Sequence, residues 1–358
     1  MNENIKKYTS VIDLFCGVGG LTHGFIKEEF NVVAGFDIDE TCRYAYEVNN
    51  KTTFVCKDVS ILTKEEIQMY YKDAQIRVLV GCAPCQPFST YSHKNNDTQK
   101  WQLLNHFSRI IKEVQPEIVS MENVPGIEKF NKATVFSDFL EMLKIEGYEC
   151  SYETVNCAEY GVPQQRKRLV LLASKLGTIK LIPSTHKKDT GYLTVADVIK
   201  DMPPLKSGET YLIDPLHRAT KLSELNLKRI RQSVPKGTWR DWDKDLQLKC
   251  HQKNSGKSYV SVYGRMSWDE PAPTITTHCI GIGNGRFGHP EQDRSITLRE
   301  AAMLQTFPIY YQFIKKGERY NARTISTHIG NAVPVQLGQI IAQSIYNHIK
   351  THIHVKEK

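Results

Sequence analysis

The sequence has no apolar run of transmembrane length, and residues 1–10 are polar. Neither a membrane span nor a secretory signal is expected. A disulfide framework is missing too. There are nine cysteines, an odd number without a repeating spacing, which suits a reducing cytoplasm. The one CxxC, Cys82 with Cys85, has no second pair to complete a four-cysteine zinc site, and no metal is expected. A clean GxGxxG is absent as well. After Gly17, Gly19 and Gly20, Thr22 stands where a further glycine would be. This disfavours a dinucleotide and leaves an adenosine-type cofactor open.

The 358 residues are 24% charged and 40% hydrophobic, the balance of a soluble globular chain large enough for two lobes. The net charge is +8 and unevenly placed. Residues 185–290 hold 17 lysines and arginines against 11 aspartates and glutamates, an excess of six. A basic module suits a phosphate-rich partner; a solvated surface is the alternative.

Residues 8–15 (YTSVIDLF) read as a strand entering the glycine turn, and residues 21–27 as the helix after it. Strand, glycine turn and helix open a nucleotide-binding βαβ unit, where glycines let a ligand approach the backbone. Residues 31–37 form the next strand. It ends on Asp37, twenty residues past Gly17, where a carboxylate grips ribose hydroxyls. Residues 54–58 form a third, ending on Asp58.

Residues 77–80 form a short buried strand that stops in GCAPCQPFS, residues 81–89. The turn presents the Cys85 thiol between Pro84 and Pro87 at a strand's carboxyl end, a mount for a nucleophile. A buried structural thiol, or a thiol oxidoreductase using Cys82 and Cys85, are the rivals. Residues 90–100 are polar and without period, a loop. Residues 103–114 have a helical period, and residues 118–121 form a strand delivering Glu122-Asn123-Val124. Residues 136–143 are helical. In YGVPQQRKRLV, residues 160–170, Gln164, Arg166 and Arg168 alternate, so on a strand they share one face before the apolar strand 169–173. Such an array suits phosphate or base recognition. From residue 183 to about 290 prolines, glycines and charges dominate without a period, an irregular second lobe. Helices return at residues 298–307 and 335–349.

Together these blocks resemble the C5-cytosine DNA methyltransferases of bacteria over nearly the whole chain. The blocks are DLFCGVGG, GCAPCQPFS, MENV, GVPQQRKR, REAAMLQTFP and GNAVP, in the family's order. The resemblance implies an α/β fold: a mostly parallel doubly wound, Rossmann-like S-adenosylmethionine-dependent domain (residues 1–184 and 322–358) and a smaller irregular target recognition domain with hinge (185–321). It implies Cys85 as nucleophile, Glu122 at N3 and N4 of cytosine, and Arg166 and Arg168 at the flipped nucleotide, with Gln164 supporting them. For the cofactor it implies Phe15, Gly17, Gly19, Gly20, Asp37, Ile38, Asp58, Val59, Leu103, Asn331 and Ala332. Here Asp37 replaces the family's usual glutamate. Ser89, Tyr91 and His93, and Thr274, Thr276, Thr277 and Arg286 of the recognition segment, are the DNA-contact candidates.

The implied reaction moves a methyl group from S-adenosylmethionine to C5 of a cytosine flipped out of duplex DNA, leaving S-adenosylhomocysteine. A monomer in a prokaryotic cytoplasm, at the nucleoid, is expected, as the protective partner of a restriction endonuclease. A tRNA-acting relative would carry Cys-Phe-Thr, which this chain lacks. A catalytically dead DNA-binding paralogue would have lost Cys85, Glu122 or the arginines, and all are present.

Overall fold

The computed structural model describes residues 6, 8–83, 102–128, 134–187, 191–254 and 256–352. Cys85, Ser89, Tyr91, His93 and the loop at 90–100 lie outside them.

A seven-stranded sheet organises the chain, in the order β3-β2-β1-β4-β5-β8-β6. Its strands are β1 (Thr9–Leu14), β2 (Asn31–Asp37), β3 (Thr53–Cys56), β4 (Ile76–Gly81), β5 (Ile118–Asn123), β6 (Glu149–Asn156) and β8 (Lys167–Ser174). A two-residue strand, β7 (Gln164–Gln165), pairs in parallel with β9 (Ala272–Pro273) outside the sheet. β1 pairs in parallel with β2 and β4, and β4 with β5. β8 runs antiparallel between β5 and β6. The strands are Val-, Ile- and Leu-rich because helices cover both faces.

On one face Ile12, Leu14, Phe36, Leu79, Val119 and Leu171 pack against α3 (Lys64–Tyr71), α4 (Gln102–Val114) and α5 (Thr134–Ile145). On the other, Val11, Val32, Val78 and Leu172 pack against α1 (Gly20–Lys27) and the last helix, α9 (Val335–His352). α1 and α9 touch backbone to backbone: a Cβ on Gly24 would meet the Gly338 carbonyl carbon at 2.5 Å.

The order reverses between β1 and β4, so a crevice for ligands opens at their carboxyl ends. α2 (Arg43–Asn50) stands beside it, and Ala45 and Tyr46 pack with residues from the second half of the chain. That shared cluster includes Val195, Met266, Phe287, Leu298, Ala301, Phe307 and Ile325. The expected boundary at residue 185 therefore does not coincide with a break in the core. Within 185–321 a separate apolar knot forms around Trp239, Trp242 and Leu246, following α6 (Glu224–Gln232). α7 (Leu298–Leu304) and α8 (Ala322–Asn331) return the chain to the sheet.

Candidate functional site

At the end of β1, Phe15 and Gly17 adopt left-handed backbones, with φ of 59° and 50°. The amide of Gly17 donates to Asp37 Oδ2 at 2.8 Å, and the amide of Asp39 to Asp37 Oδ1 at 2.9 Å. The twenty-residue spacing is thus a direct contact between glycine turn and strand end. Burial raises the Asp37 pKa against the pull of those two amides. A Cβ on Gly17 would meet nothing within 4 Å, so that face of the turn is open. Gly19 and Gly20 differ. Side chains there would run into Asn50 and into the Val333 carbonyl, so close packing of α1 also demands these glycines.

The other cofactor candidates follow strand ends or stand on the neighbouring helices. Ile38 is 68% exposed at the end of β2. Asp58 caps a 3-10 turn, accepting from the Ser60 amide at 2.8 Å, and Val59 is buried behind it. Phe15 and Leu103 are half-buried, Asn331 is exposed and Ala332 half-buried. An open glycine, two strand-end carboxylates and an exposed aliphatic side chain fit a nucleoside: the acids accept from ribose or amino groups and the aliphatic surface takes the base.

The next strand ends supply a different chemistry. Glu122 and Asn123 finish β5, and both are buried. Because β8 is antiparallel, it begins where β5 ends, with Glu122 opposite Val170. Arg168 Nε then lies 2.8 Å from Glu122 Oε1. The N–H does not point along that line, and Oε1 accepts no aligned hydrogen bond. Glu122 is thus a buried carboxylate beside a cation, with an oxygen still to be satisfied. Asn123 Nδ2 donates to Ala83 O at 3.4 Å, tying β5 to the turn that leads toward Cys85.

The alternation of Gln164, Arg166 and Arg168 holds: Gln165 and Lys167 are exposed while these three turn inward. Their tasks diverge. Gln164 is fully buried; its Nε2 donates to Gln305 Oε1 at 2.9 Å and to Leu304 O at 3.1 Å, and its Oε1 accepts from the Ile275 amide. Arg166, 2% exposed, donates to the carbonyls of Ile275, Gly330 and Ala332 at 3.1–3.3 Å. Burial, with Arg168 nearby, lowers its pKa to about 9, and it stays cationic at pH 7. Gln164 takes the supporting place expected of it, and Arg166 makes its hydrogen bonds to backbone carbonyls. Gln164 Nε2 and the two terminal nitrogens of Arg166 hold residues 275, 304–305 and 330–332 together, while Arg166 Nε is buried with no partner among the described residues and Arg168 stands against Glu122.

In the recognition segment Thr276 is exposed and Thr277 half-buried. Thr274 Oγ1 donates to Gln165 O at 2.7 Å. Arg286 is half-buried, donating to Gly237 O at 2.7 Å, which props the loop from inside. Gln305, His328 and Tyr311 were not singled out from sequence. Gln305 Nε2 joins Gln164 to the Ile329 carbonyl, and Tyr311 Oη donates to Val18 O at 2.5 Å. Each partner is remote in sequence, and no local spacing announces it.

Cys82 is part-buried by surface, yet burial of its sulfur, with Glu122 adding, pushes the thiol well above its usual value. A thiol held protonated is a poor redox partner for Cys85. Among the described residues one group brings three metal-capable atoms within 4.8 Å: Asp39, Cys42 and His328. Asp39 Oδ1 already accepts from the Thr41 amide and hydroxyl, and His328 Nε2 lies 3.0 Å from that hydroxyl.

The family model described as C-5 cytosine-specific DNA methylase matches residues 9–347. The chain is 55% identical over 336 residues to the Type II methylase M.HgiDII of Herpetosiphon aurantiacus, covering 94% of each. It is 32% identical to the Type II methyltransferase M1.BsuMI of Bacillus subtilis, covering 93% of this chain and 79% of that one. Among solved structures, a prophage-encoded Escherichia coli protein described as a DNA modification methyltransferase superposes with a TM-score of 0.75 at 23% identity, over 96% of this chain and 99% of that one. Spodoptera frugiperda DNMT2 does so at 0.64 and 15% identity, over 94% and 99%. With the sheet order, the glycine turn and the Glu122–Arg168 pair all in place, the chain belongs to the C-5 cytosine-specific DNA methylase family and is a DNA cytosine-5-methyltransferase.

Proposed function

We propose that this enzyme methylates C5 of a cytosine flipped out of duplex DNA, through a covalent bond from Cys85, and that it protects DNA alongside a restriction endonuclease. The observation that carries the reading is the buried Glu122–Arg168 pair at 2.8 Å, where β5 and β8 meet beside the turn leading to Cys85. The names of the relatives, Type II methylases, support the protective role.

Cytosine C5 is a weak nucleophile inside an aromatic ring. The Cys85 thiolate adds to C6, breaking the 5,6 double bond and pushing its electron pair toward C5 and N3. Glu122, carrying a proton when the base is in place, hydrogen-bonds at N3 and gives that proton to it, while the Arg168 guanidinium balances charge beside O2. Asp37 and Asp58 would hold the ribose and base of S-adenosylmethionine, Ile38 and Phe15 would pack against the adenine, and Gly17 would leave room for the amino-acid part. When bound, that cofactor supplies the methyl group as a sulfonium-activated electrophile. Once C5 carries the methyl, its proton passes to water, the C–H electron pair reforms the 5,6 double bond, the Cys85 sulfur departs as thiolate, and N3 returns its proton to Glu122. Gln164 and Arg166 keep Arg168 and residues 330–332 in register. None of these atoms can be reached inside the base stack, so the base must leave it.

Tritiated-methyl transfer to duplex DNA tests this reading. Cys85→Ala should abolish transfer, and duplex substituted with 5-fluorocytosine should trap the wild type through the Cys85 sulfur. Transfer surviving in Cys85→Ala, or an adduct mapped to another side chain, would overturn it.

A further inference from the structure

The nucleoside side of the crevice is held by a contact that the sheet itself does not require. α8 belongs to the second half of the chain, yet His328 on it reaches the loop after β2. Its Nε2 lies 3.3 Å from Asp39 Oδ2, a partner 289 residues away, and 3.0 Å from Thr41 Oγ1. The His328 side chain is 6% exposed and Asp39 47%, so the histidine is fixed and the loop comes to it. Asp39 stands next to the exposed Ile38 and two residues from Asp37. Its own amide donates to Asp37 Oδ1, and Asp37 Oδ2 takes the Gly17 amide. An unbroken run of contacts therefore passes from α8 through Asp39 and Asp37 to the glycine turn. The same C-terminal end of α8 is anchored a second time, by Arg166 on Gly330 O and Ala332 O.

We propose that His328 is a positioning residue for the nucleoside pocket: by pinning Asp39 against α8 it sets the loop carrying Asp37 and Ile38 for the methyl donor. An ordinary half-exposed polar contact contributes little. This one differs in what it restrains, because the same loop carries Asp37 and Ile38, the residues assigned to the ribose and base. The inference rests on the reading of this crevice as the S-adenosylmethionine site.

Binding of S-adenosylhomocysteine to the full-length protein without DNA, measured by calorimetry, tests it. The wild type should bind. His328→Ala should bind about three- to tenfold more weakly, the loss of one or two hydrogen bonds. Asp39→Asn, changed on the exposed side where folding is not at stake, should lose affinity in the same direction. His328→Gln, which keeps a donor, should recover most of it. In turnover the KM for the methyl donor should rise by the same factor while kcat at saturation stays within about twofold. Unchanged affinity in both His328→Ala and Asp39→Asn would overturn the inference, as would a fall in kcat with affinity intact. One tightly held zinc per chain, with affinity lost to a chelator, would also overturn it by making Asp39, Cys42 and His328 a metal centre. A wild type that binds no S-adenosylhomocysteine would sink the pocket reading itself, and the inference with it.

Discussion

At the scale of single residues, the two arginines of the QQRKR block separate by what they touch. Arg168 stands against Glu122, whose Oε1 has no aligned donor. Arg168→Ala should lower the methyl-transfer rate by roughly a hundredfold or more, the size seen when one charge-stabilising donor is removed. Binding of S-adenosylhomocysteine should stay within about twofold, and equal losses in binding and rate would argue against this division. Arg166→Ala instead strips the donors from three buried carbonyls, at about 3 kcal/mol or more, and should appear first as a lower melting temperature. Asp13 offers a test in pH. It is 1% exposed; burial lifts its pKa to about 7 despite the Thr22 hydroxyl donating to Oδ2 at 2.7 Å, and Oδ1 has no partner. In the unfolded chain its pKa is near ~3.9. The folded protein holds this proton where the unfolded chain has lost it. The stability it contributes is therefore full below about pH 4 and is lost as pH rises through about 7. The urea midpoint of the wild type should fall between pH 5 and 8 more than that of Asp13→Asn. Parallel profiles would mean that this carboxyl is ionised throughout.

At the scale of elements, the glycines of the first turn and of the helix after it answer to different neighbours. Gly24→Ala would drive a methyl into the backbone of α9, where the helices offer no side chain that could yield. It should cost about 1–3 kcal/mol or more, read as a lower urea midpoint. Gly17→Ala meets no atom, but its φ of 50° and its open face put the cost on the pocket as much as on the fold. Donor affinity should fall further than stability does. The open face of Gly17 is invisible in DLFCGVGG, where it looks like the tightly packed Gly19 and Gly20. The strands with continuous apolar runs were legible to within a residue or two, because burial on both faces leaves a plain signal: β2 was read as residues 31–37, its observed span. β6 went unread because it is an exposed edge whose sequence, ECSYETVN, buries only one residue fully. α2, α6 and α8 went unread for a related reason. Their interiors mix amides, charges and glycine, and tertiary packing decides them rather than a clean period. At the candidate site, residue types and order single out Glu122 and Arg168, which the structure brings to 2.8 Å of one another. The bracing roles of Gln164 and Arg166 depend on partners more than a hundred residues away.

At the scale of the whole molecule, charge and core divide the chain differently. The apolar cluster that holds Tyr46 also holds Phe287 and Leu298, so the two halves share a core on the cofactor side. The positive charge, by contrast, gathers away from it. Lys244, Lys249, Lys253 and Lys257 are all exposed beside the Trp239–Trp242 knot, and none forms an ion pair among the described residues. Lysines held by no acid are free to meet phosphates, and each phosphate neutralised releases about 0.9 counterion from duplex DNA. Two sites on one enzyme should then answer to salt in opposite ways. Between about 50 and 200 mM salt the KM for duplex DNA should climb steeply, while the affinity for S-adenosylhomocysteine, whose proposed pocket uses Asp37, Asp58 and Ile38, should barely move. The double variant Lys249→Glu, Lys253→Glu should weaken DNA binding and lower the slope of log K against log salt by about two, one for each lost phosphate contact. It should leave the melting temperature within about 2 °C, since both side chains stand clear of the core. An unchanged slope would place the phosphate track on another face of the lobe and leave these lysines as solvated surface.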